Sequence, residues 1–233
     1  MSNEHSEHHH DSHDHGSHDH HGHANDQGIK GALRYLRHLP EMWRSPMNDA
    51  VIDLVDPRGG ERVVDIGAGM GAGALPAAVT GAHVLAVEPT PFVRRVLRMR
   101  RAFSRSRACV EVVDGSAERI PVADRSIDAI WAVNTMHHWI DVERSVAEIA
   151  RVLKPGGRVL LVDELFNDPS HPDYERFGAE HGPEHHGFTM VEADQMGSLL
   201  RAAGLTDVDA SDVPVASRPV IRVTAHGAPG TDG

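Results

Sequence analysis

The chain has 233 residues, 40 % of them hydrophobic, and a formal net charge of −11. That suits one soluble globular core and offers no overall basic surface for nucleic acid. No apolar run approaches the ~20 residues of a membrane span. The N-terminus lacks the basic-then-apolar pattern of a signal peptide, and the single cysteine, Cys109, has no internal disulfide partner, so a reducing, cytoplasmic setting is expected.

Residues 1–27 stand apart. They carry Glu4, Glu7, Asp11, Asp14, Asp19 and Asp26 and no Lys or Arg, which leaves 23 basic and 28 acidic residues, a net −5, on the remainder. Ten of the 19 histidines lie between His5 and His23, among Asp, Ser and Gly. Nothing here can build a core, so a disordered tail is expected. Neutral imidazoles at this density, His8, His9, His10, His13, His15, His18, His20 and His21 among them, can chelate Zn²⁺ or Ni²⁺. The tail then either buffers or senses metal, or only solubilises the chain. Its irregular spacing argues against a purification tag.

The folded domain is expected over 28–226. Residues 28–58 read as leading helices: Ala32, Leu33, Leu36 and Leu39 recur near helical spacing until Pro40. Ser45-Pro46 opens a second helix with Val51, Ile52, Leu54 and Val55 on its apolar face. Tyr35 and Trp43 either pack on the sheet edge or cover a ligand. Arg62–Ile66 reads as a strand. Gly67, Gly69, Gly71 and Gly73 follow, then a helix-like run from Ala72 to Val79. A strand that turns sharply into a helix through alternating glycines lets a ligand approach the backbone and the free N–H groups of the helix start. Further strands are expected at Ala82–Glu88, Ala108–Val113, Ser126–Val133 and Arg158–Val162. Helices should run from Pro91 to about Phe103 and, capped by Asp141, up to Lys154-Pro-Gly-Gly157. Strand–helix alternation implies crossover connections and a parallel sheet covered on both faces.

In such a sheet, ligands bind outside the carboxyl ends of the strands near the switch point. Asp65, Glu88, Asp114, Asn134 and Asp163 all fall at those ends. Glu88 lies 21 residues after Gly67, a spacing that suits a carboxylate accepting both ribose hydroxyls. On this ground alone, Gly67-x-Gly69-x-x-Ala72 also fits a nicotinamide dinucleotide, and an NAD(P)-dependent oxidoreductase stays open.

Four segments in order carry a more specific resemblance: Val63-Val-Asp-Ile-Gly-Ala-Gly-Met-Gly71, Val87-Glu-Pro89, Asp114-Gly-Ser-Ala-Glu-Arg-Ile-Pro121 and Val152-Leu-Lys-Pro-Gly-Gly157. The chain resembles the class I S-adenosylmethionine-dependent methyltransferases, in the small-molecule group that includes the ubiquinone/menaquinone methyltransferases. The resemblance implies a Rossmann-like, doubly wound, mostly parallel seven-stranded α/β sheet with the last strand antiparallel. It implies a methyl group moved by in-line displacement to O, N or C of a small-molecule acceptor. Asp65 and the Gly67–Gly71 backbone, with Ala68 and Gly69, would hold the aminoacyl and ribose part. Glu88 would take the ribose hydroxyls, Asp114 the adenine amino group, and the Gly115, Ser116 and Ala117 backbone would lie beside the ring. Ile66, Pro89 and Ala117 could line the adenine slot, and Asn134 would lie near the methionine moiety. No Asp/Asn-Pro-Pro-aromatic motif follows the fourth strand, which removes the usual mark of base methylation. A non-catalytic cofactor-binding or metal-responsive protein is the competing class.

The remaining features are less patterned. Arg94, Arg95, Arg98, Arg100, Arg101, Arg105 and Arg107 crowd one helix and its exit. They read as a solvated outer face, with RNA contact or an anchor for the acidic tail as alternatives. His137 and His138, in Asn134-Thr-Met-His-His-Trp139, are candidates for general base or substrate positioning. Residues 164–188, rich in His, Asp and Glu, read as a lid or, through His181, Glu184, His185 and Asp163, as a metal site. Thr189-x-x-Glu192 reads as a capping box for a helix to Gly204. Two strands follow at Val208–Val215 and Val220–Val223, and 227–233 is expected to fray.

Overall fold

The computed structural model describes residues 45–172, 174–177 and 192–230. The His-rich tail, the first leading helix with Tyr35 and Trp43, and His181, Glu184, His185 and Thr189 lie outside the described residues.

Helix α1 (Pro46–Val55) starts as its sequence dictates, with Pro46 in the first turn and the Ser45 hydroxyl accepting from Asn48 N at 3.3 Å. Strand β1 (Arg62–Ile66) enters the glycine turn. Helix α2 is a single turn (Ala74–Ala77) continued by a tighter turn at Ala78–Thr80. The expected start at Ala72 is too early, because the turn through Gly69 and Gly71, both at positive φ, occupies that stretch. Strand β2 (His83–Val87), helix α3 (Pro91–Ala102), strand β3 (Val110–Val113), strand β4 (Ile127–Val133) and helix α4 (Val142–Val152) follow. Asp141 Oδ1 caps α4 by accepting from Arg144 N at 2.9 Å. Ala108 and Cys109 wind into a short turn at Arg107–Cys109 and do not join β3.

Strand β5 (Leu153–Glu164) is longer than expected. Leu153 pairs with Ile127, Lys154–Gly157 bulge outward, and pairing resumes at Arg158 with Ala129. The bulge is tied down: Gly156 N donates to Gly227 O at 3.0 Å and Gly227 N to Gly157 O at 2.8 Å. Gly227 therefore extends the ordered sheet edge, contrary to the expected fray. A short turn α5 (Tyr174–Phe177) and helix α6 (Ala193–Ala202) lead to strands β6 (Thr206–Val215) and β7 (Arg218–His226). Glu192 has extended backbone and sits at the N-cap of α6, so it cannot be the third helical residue of a box opened by Thr189. Ala216 and Ser217, at φ 48° and 63°, form the two-residue hairpin turn between β6 and β7.

The seven strands lie in the order β3-β2-β1-β4-β5-β7-β6, with β7 antiparallel to both neighbours and β1 to β5 parallel. This is the doubly wound architecture expected. Adjacent strand residues are buried on opposite faces. Val63, Ala129, Trp131, Leu160 and Val162 pack with Val51, Ala74 and Leu97. Val64, Ile130 and Leu161 pack with Val146, Ile149, Met196 and Leu200. Order reverses between β1 and β4, so their carboxyl ends flank the crevice where such sheets bind ligands.

The amino edge of the sheet is closed by Arg158. Its guanidinium grips both oxygens of Glu61 at 2.9 and 2.7 Å and donates to Val55 O and Asp56 O. The Arg158 hydrogen bond holds the Glu61 carboxyl below its ordinary range against partial burial. Arg158→Met is expected to cost about 2 kcal/mol, lowering Tm by about 4–8 °C. Because Glu61 is depressed, that difference should be full near neutral pH and shrink as pH falls below the usual carboxyl range, which thermal melts from pH 7 to 3 would check.

Candidate functional site at the switch point

The loops after β1, β2, β3 and β4 lie at the carboxyl edge. The first is the glycine turn after β1, where Gly67, Gly69 and Gly71 have φ of 66°, 52° and 84°, a region that favours glycine. A Cβ on Gly67 would lie 2.5 Å from Thr135 Cγ2, and one on Gly71 2.3 Å from Leu97 Cδ1. At Gly69 the nearest atom would be 3.9 Å away, so the turn is packed at its two ends and open in the middle. Thr135 is a residue whose role the sequence did not reveal; it presses the loop after β4 directly against Gly67.

Glu88, at the end of β2, is buried and reaches over this turn. Its Oε2 accepts from Gly69 N at 3.0 Å and its Oε1 from Thr90 N at 2.8 Å. Each carboxylate oxygen keeps lone-pair capacity for a further donor. Asp65, at the end of β1, is buried, and among the described residues its Oδ2 and the buried Trp131 Nε1 approach each other without a well-formed hydrogen bond. Both atoms, with Asn48 Oδ1, would lie 3.0 Å from a Cβ on Gly73. Burial pushes the Asp65 carboxyl up to about 8, with Ala74 N–H and the Trp131 indole opposing it weakly and Glu88 adding to it. A buried polar group without a partner leaves hydrogen-bonding capacity that water or a ligand can meet.

The adenine-side candidates follow β3. Asp114 is exposed and its Oδ1 pairs with Arg94 Nη1 at 2.8 Å. Gly115 is tightly packed: an added Cβ would fall 2.9 Å from Arg119 O and 3.0 Å from Val87 Cγ1. Ser116 is half-buried and its N–H donates to Arg119 O at 3.2 Å. Ile66 and Ala117 are buried in the hydrophobic cluster with Val87, Ile120 and Met136, whereas Pro89 is exposed. Of the three expected lining residues, only Pro89 presents surface.

The arginine-rich helix is not simply a solvated face. Arg95 and Arg98 are exposed, but Arg94 is buried and donates to Glu88 O at 2.7 Å and Pro89 O at 2.6 Å. Arg100 donates to Met70 O, and Arg101 to Val110 O. A charge count along the helix could not separate these inward arginines from the outward ones. Helical phase could have, since Arg94, Arg100 and Arg101 lie three or four residues from the buried Leu97.

The acceptor side holds two histidine–carboxylate pairs on adjacent residues of β5. His137 Nδ1 lies 2.7 Å from Asp163 Oδ1, and His137 N donates to Asp163 Oδ2 at 3.0 Å. Both carboxylate oxygens thus fix one imidazole, and Nδ1–H donation leaves Nε2 as the accepting nitrogen. His138 is exposed, its ring centroid 4.1 Å from that of His137. Next along the strand, Glu164 Oε2 meets His171 Nε2 at 2.6 Å and also accepts from Arg218. Asn134, at φ 53°, closes a two-point bond with Glu164: its Nδ2 donates to Oε1 at 2.6 Å and its Oδ1 accepts from Glu164 N at 3.1 Å. One N–H and one lone pair of this amide, expected near a methionine moiety, are thus engaged by the chain itself, and one of each remains. Burial opposes Glu164 ionisation, but the bonds from His171, Arg218 and Asn134 prevail and hold it below the ordinary carboxylate range. Among the described residues no group of three His, Cys, Asp or Glu is placed to hold a metal.

Residues 64–161 match the methyltransferase-domain family. The chain carries a class I, S-adenosylmethionine-dependent methyltransferase domain. An uncharacterized methyltransferase of Mycobacterium tuberculosis is 40 % identical over 111 residues, 48 % of this chain and 43 % of the relative. The 27-O-demethylrifamycin SV methyltransferase of Amycolatopsis mediterranei is 32 % identical over 180 residues, 74 % of this chain and 64 % of the relative. The solved structure of a putative S-adenosylmethionine-dependent methyltransferase from Methanococcus maripaludis superposes with a TM-score of 0.66 at 17 % identity, covering 88 % of this chain and 95 % of that one. The chain spans less than two thirds of the length of these two curated relatives. The glycine turn thus takes the methyltransferase reading and not the dinucleotide one. The open Gly69, the spare capacity of Glu88 and the Asp65 Oδ2 without a well-formed bond fit S-adenosylmethionine.

Proposed function

We propose that this protein methylates a small molecule at an acidic hydroxyl, using S-adenosylmethionine. The observation that carries the reading is the His137–Asp163 pair, held on the loop that Thr135 packs against Gly67. When bound, the cofactor supplies an electrophilic methyl group on a sulfonium. Glu88 accepts the ribose hydroxyls, Asp65 sits where a cationic aminoacyl end would pair with it, and the Gly67–Gly71 backbone leaves room for both. Asp114 reads the adenine edge beside Gly115, Ser116 and Ala117. His137 Nε2 takes the proton from the acceptor hydroxyl, and Asp163 holds the ring and compensates its charge. His138 contributes at most to the rim. Positioning supplies much of the remaining rate. The rifamycin relative, named for an O-demethylated substrate, supports oxygen as the accepting atom.

Among the described residues the domain reaches from Pro46 to His226. A cytoplasmic setting suits the lone thiol and the absence, among the described residues, of a helix long and apolar enough to cross a membrane. The histidines of residues 1–27 would take Zn²⁺ or Ni²⁺ independently of the catalytic site.

Calorimetric titration with S-adenosylhomocysteine tests the cofactor half. Glu88→Ala should weaken binding by about 100-fold, the loss of two hydrogen bonds to a charged acceptor, and unchanged affinity would refute the ribose assignment. Incubation with methyl-labelled cofactor and a panel of phenols, enols and alcohols tests the acceptor half. Transfer confined to amines would overturn the hydroxyl reading.

A further inference from the structure

Arg94, on α3, touches the chain just after two strands, β2 and β3. One of its NH₂ groups, Nη1, sits within 2.7 Å of Glu88 O, 2.6 Å of Pro89 O and 2.8 Å of Asp114 Oδ1. The arginine side chain is 10 % exposed, while the Asp114 side chain is 68 % exposed. The carboxylate is thus anchored through one oxygen to a buried cation, and Oδ2 takes no partner among the described residues. Asp114 is the first residue after β3, and an exposed aspartate there would ordinarily sample several rotamers. The ion pair limits that freedom and leaves Oδ2 as the oxygen open to a further donor. The two carbonyl contacts join the anchor to the same backbone that positions Glu88, so the ribose-side and adenine-side carboxylates share one support.

We propose that Arg94 is a positioning residue that sets selectivity for the adenine base, by fixing Asp114 so that its second oxygen accepts from the exocyclic amino group. The proposal rests on the cofactor reading above. An adenine offers an N–H donor at that edge, whereas hypoxanthine offers a carbonyl that the fixed carboxylate would repel. A guanidinium is suited to this task because it stays charged when buried, whereas a buried lysine ammonium loses its charge more readily.

The test compares the affinities of S-adenosylhomocysteine and its hypoxanthine counterpart, S-inosylhomocysteine, by calorimetry on the full chain. The native protein should prefer the adenine ligand by at least about tenfold, the worth of one hydrogen bond to a charged acceptor against its repulsive replacement. Arg94→Met and Asp114→Ala should each bring the two affinities within about threefold, mainly by weakening the adenine ligand. Arg95→Met, on the exposed face of the same helix, should keep the full preference. Should Arg94→Met melt below the assay temperature, Arg94→Lys is read the same way. If the Arg94 variants weaken both ligands by one common factor, or keep the preference intact, Arg94 only supports the fold and the proposal is overturned. Failure of the native protein to bind S-adenosylhomocysteine would instead refute the cofactor assignment.

Discussion

His137→Ala is expected to lower kcat by about 10²- to 10⁴-fold, the usual worth of a positioned general base, while S-adenosylhomocysteine affinity stays within about twofold. The reason lies in the placement of the pair. Asp163 engages the imidazole Nδ1 and the His137 backbone N–H together, so the ring has one orientation and one preferred tautomer. Asp163→Asn replaces an oxygen acceptor by an amide that can present a donor to Nδ1, which favours the wrong tautomer. It should give a loss of similar size. A merely structural role would reduce turnover of all acceptors alike. A base makes a sharper demand: the loss must shrink as the acceptor hydroxyl becomes more acidic and arrives already ionised. A series of substituted phenols measured against native and His137→Ala protein reads that slope. A flat series, or full turnover in His137→Ala, would remove the base.

Asp65→Asn should have opposite effects on stability and binding. In the ligand-free protein burial raises the Asp65 carboxyl from 3.8 to about 8. Below the ordinary carboxyl range this group is protonated folded and unfolded, and it contributes nothing to the balance. As pH rises from near 4 toward 8 the unfolded chain ionises first, so the native state loses stability, on the order of a few kcal/mol across the window. The asparagine variant lacks this penalty. Its Tm should exceed that of the native protein at pH 8 and converge with it near pH 4. The same substitution should weaken cofactor binding by about 100-fold, since the carboxylate no longer meets the cationic aminoacyl end. It should also abolish the proton that the native protein releases on binding at pH 7, which titration in buffers of different ionisation enthalpy measures. A variant no more stable than native at pH 8 would contradict the buried-charge account.

Much of the site was legible because its constraints are local. A β1 strand that must turn within a few residues demands glycine, and Glu88 and Asp114 stand at strand ends that hydrophobic runs delimit. The strand–helix alternation followed from the same runs, whereas the antiparallel β7 was implied only by the family resemblance. Other features depended on contacts between distant segments. Asn134 looked like a ligand contact, yet its partner, Glu164, is 30 residues away and meets it only because β4 and β5 are neighbours. Arg94 was hidden in a charge run whose members face opposite ways. The Lys154–Gly157 segment reads as a stop signal, and its capture as a bulge depends on Gly227 at the far end of the chain. The choice between His137 and His138 likewise required Asp163, which no spacing rule links to either.

Asp163 and Glu164 are consecutive, so on a strand their side chains leave opposite faces. One meets His137, and the other meets Asn134, His171 and Arg218. The strand therefore works as a ruler whose last two marks are assigned to different neighbours. Adding or removing one residue between Arg158 and Val162 would exchange the marks and misassign both histidines at once. The Lys154–Gly157 bulge lies upstream of the ruler and already departs from regular pairing, so a change of length there disturbs only its two bonds to Gly227 and not the marks. Tolerance to insertion along this single strand should thus pass from permissive to forbidding within a few residues of Arg158.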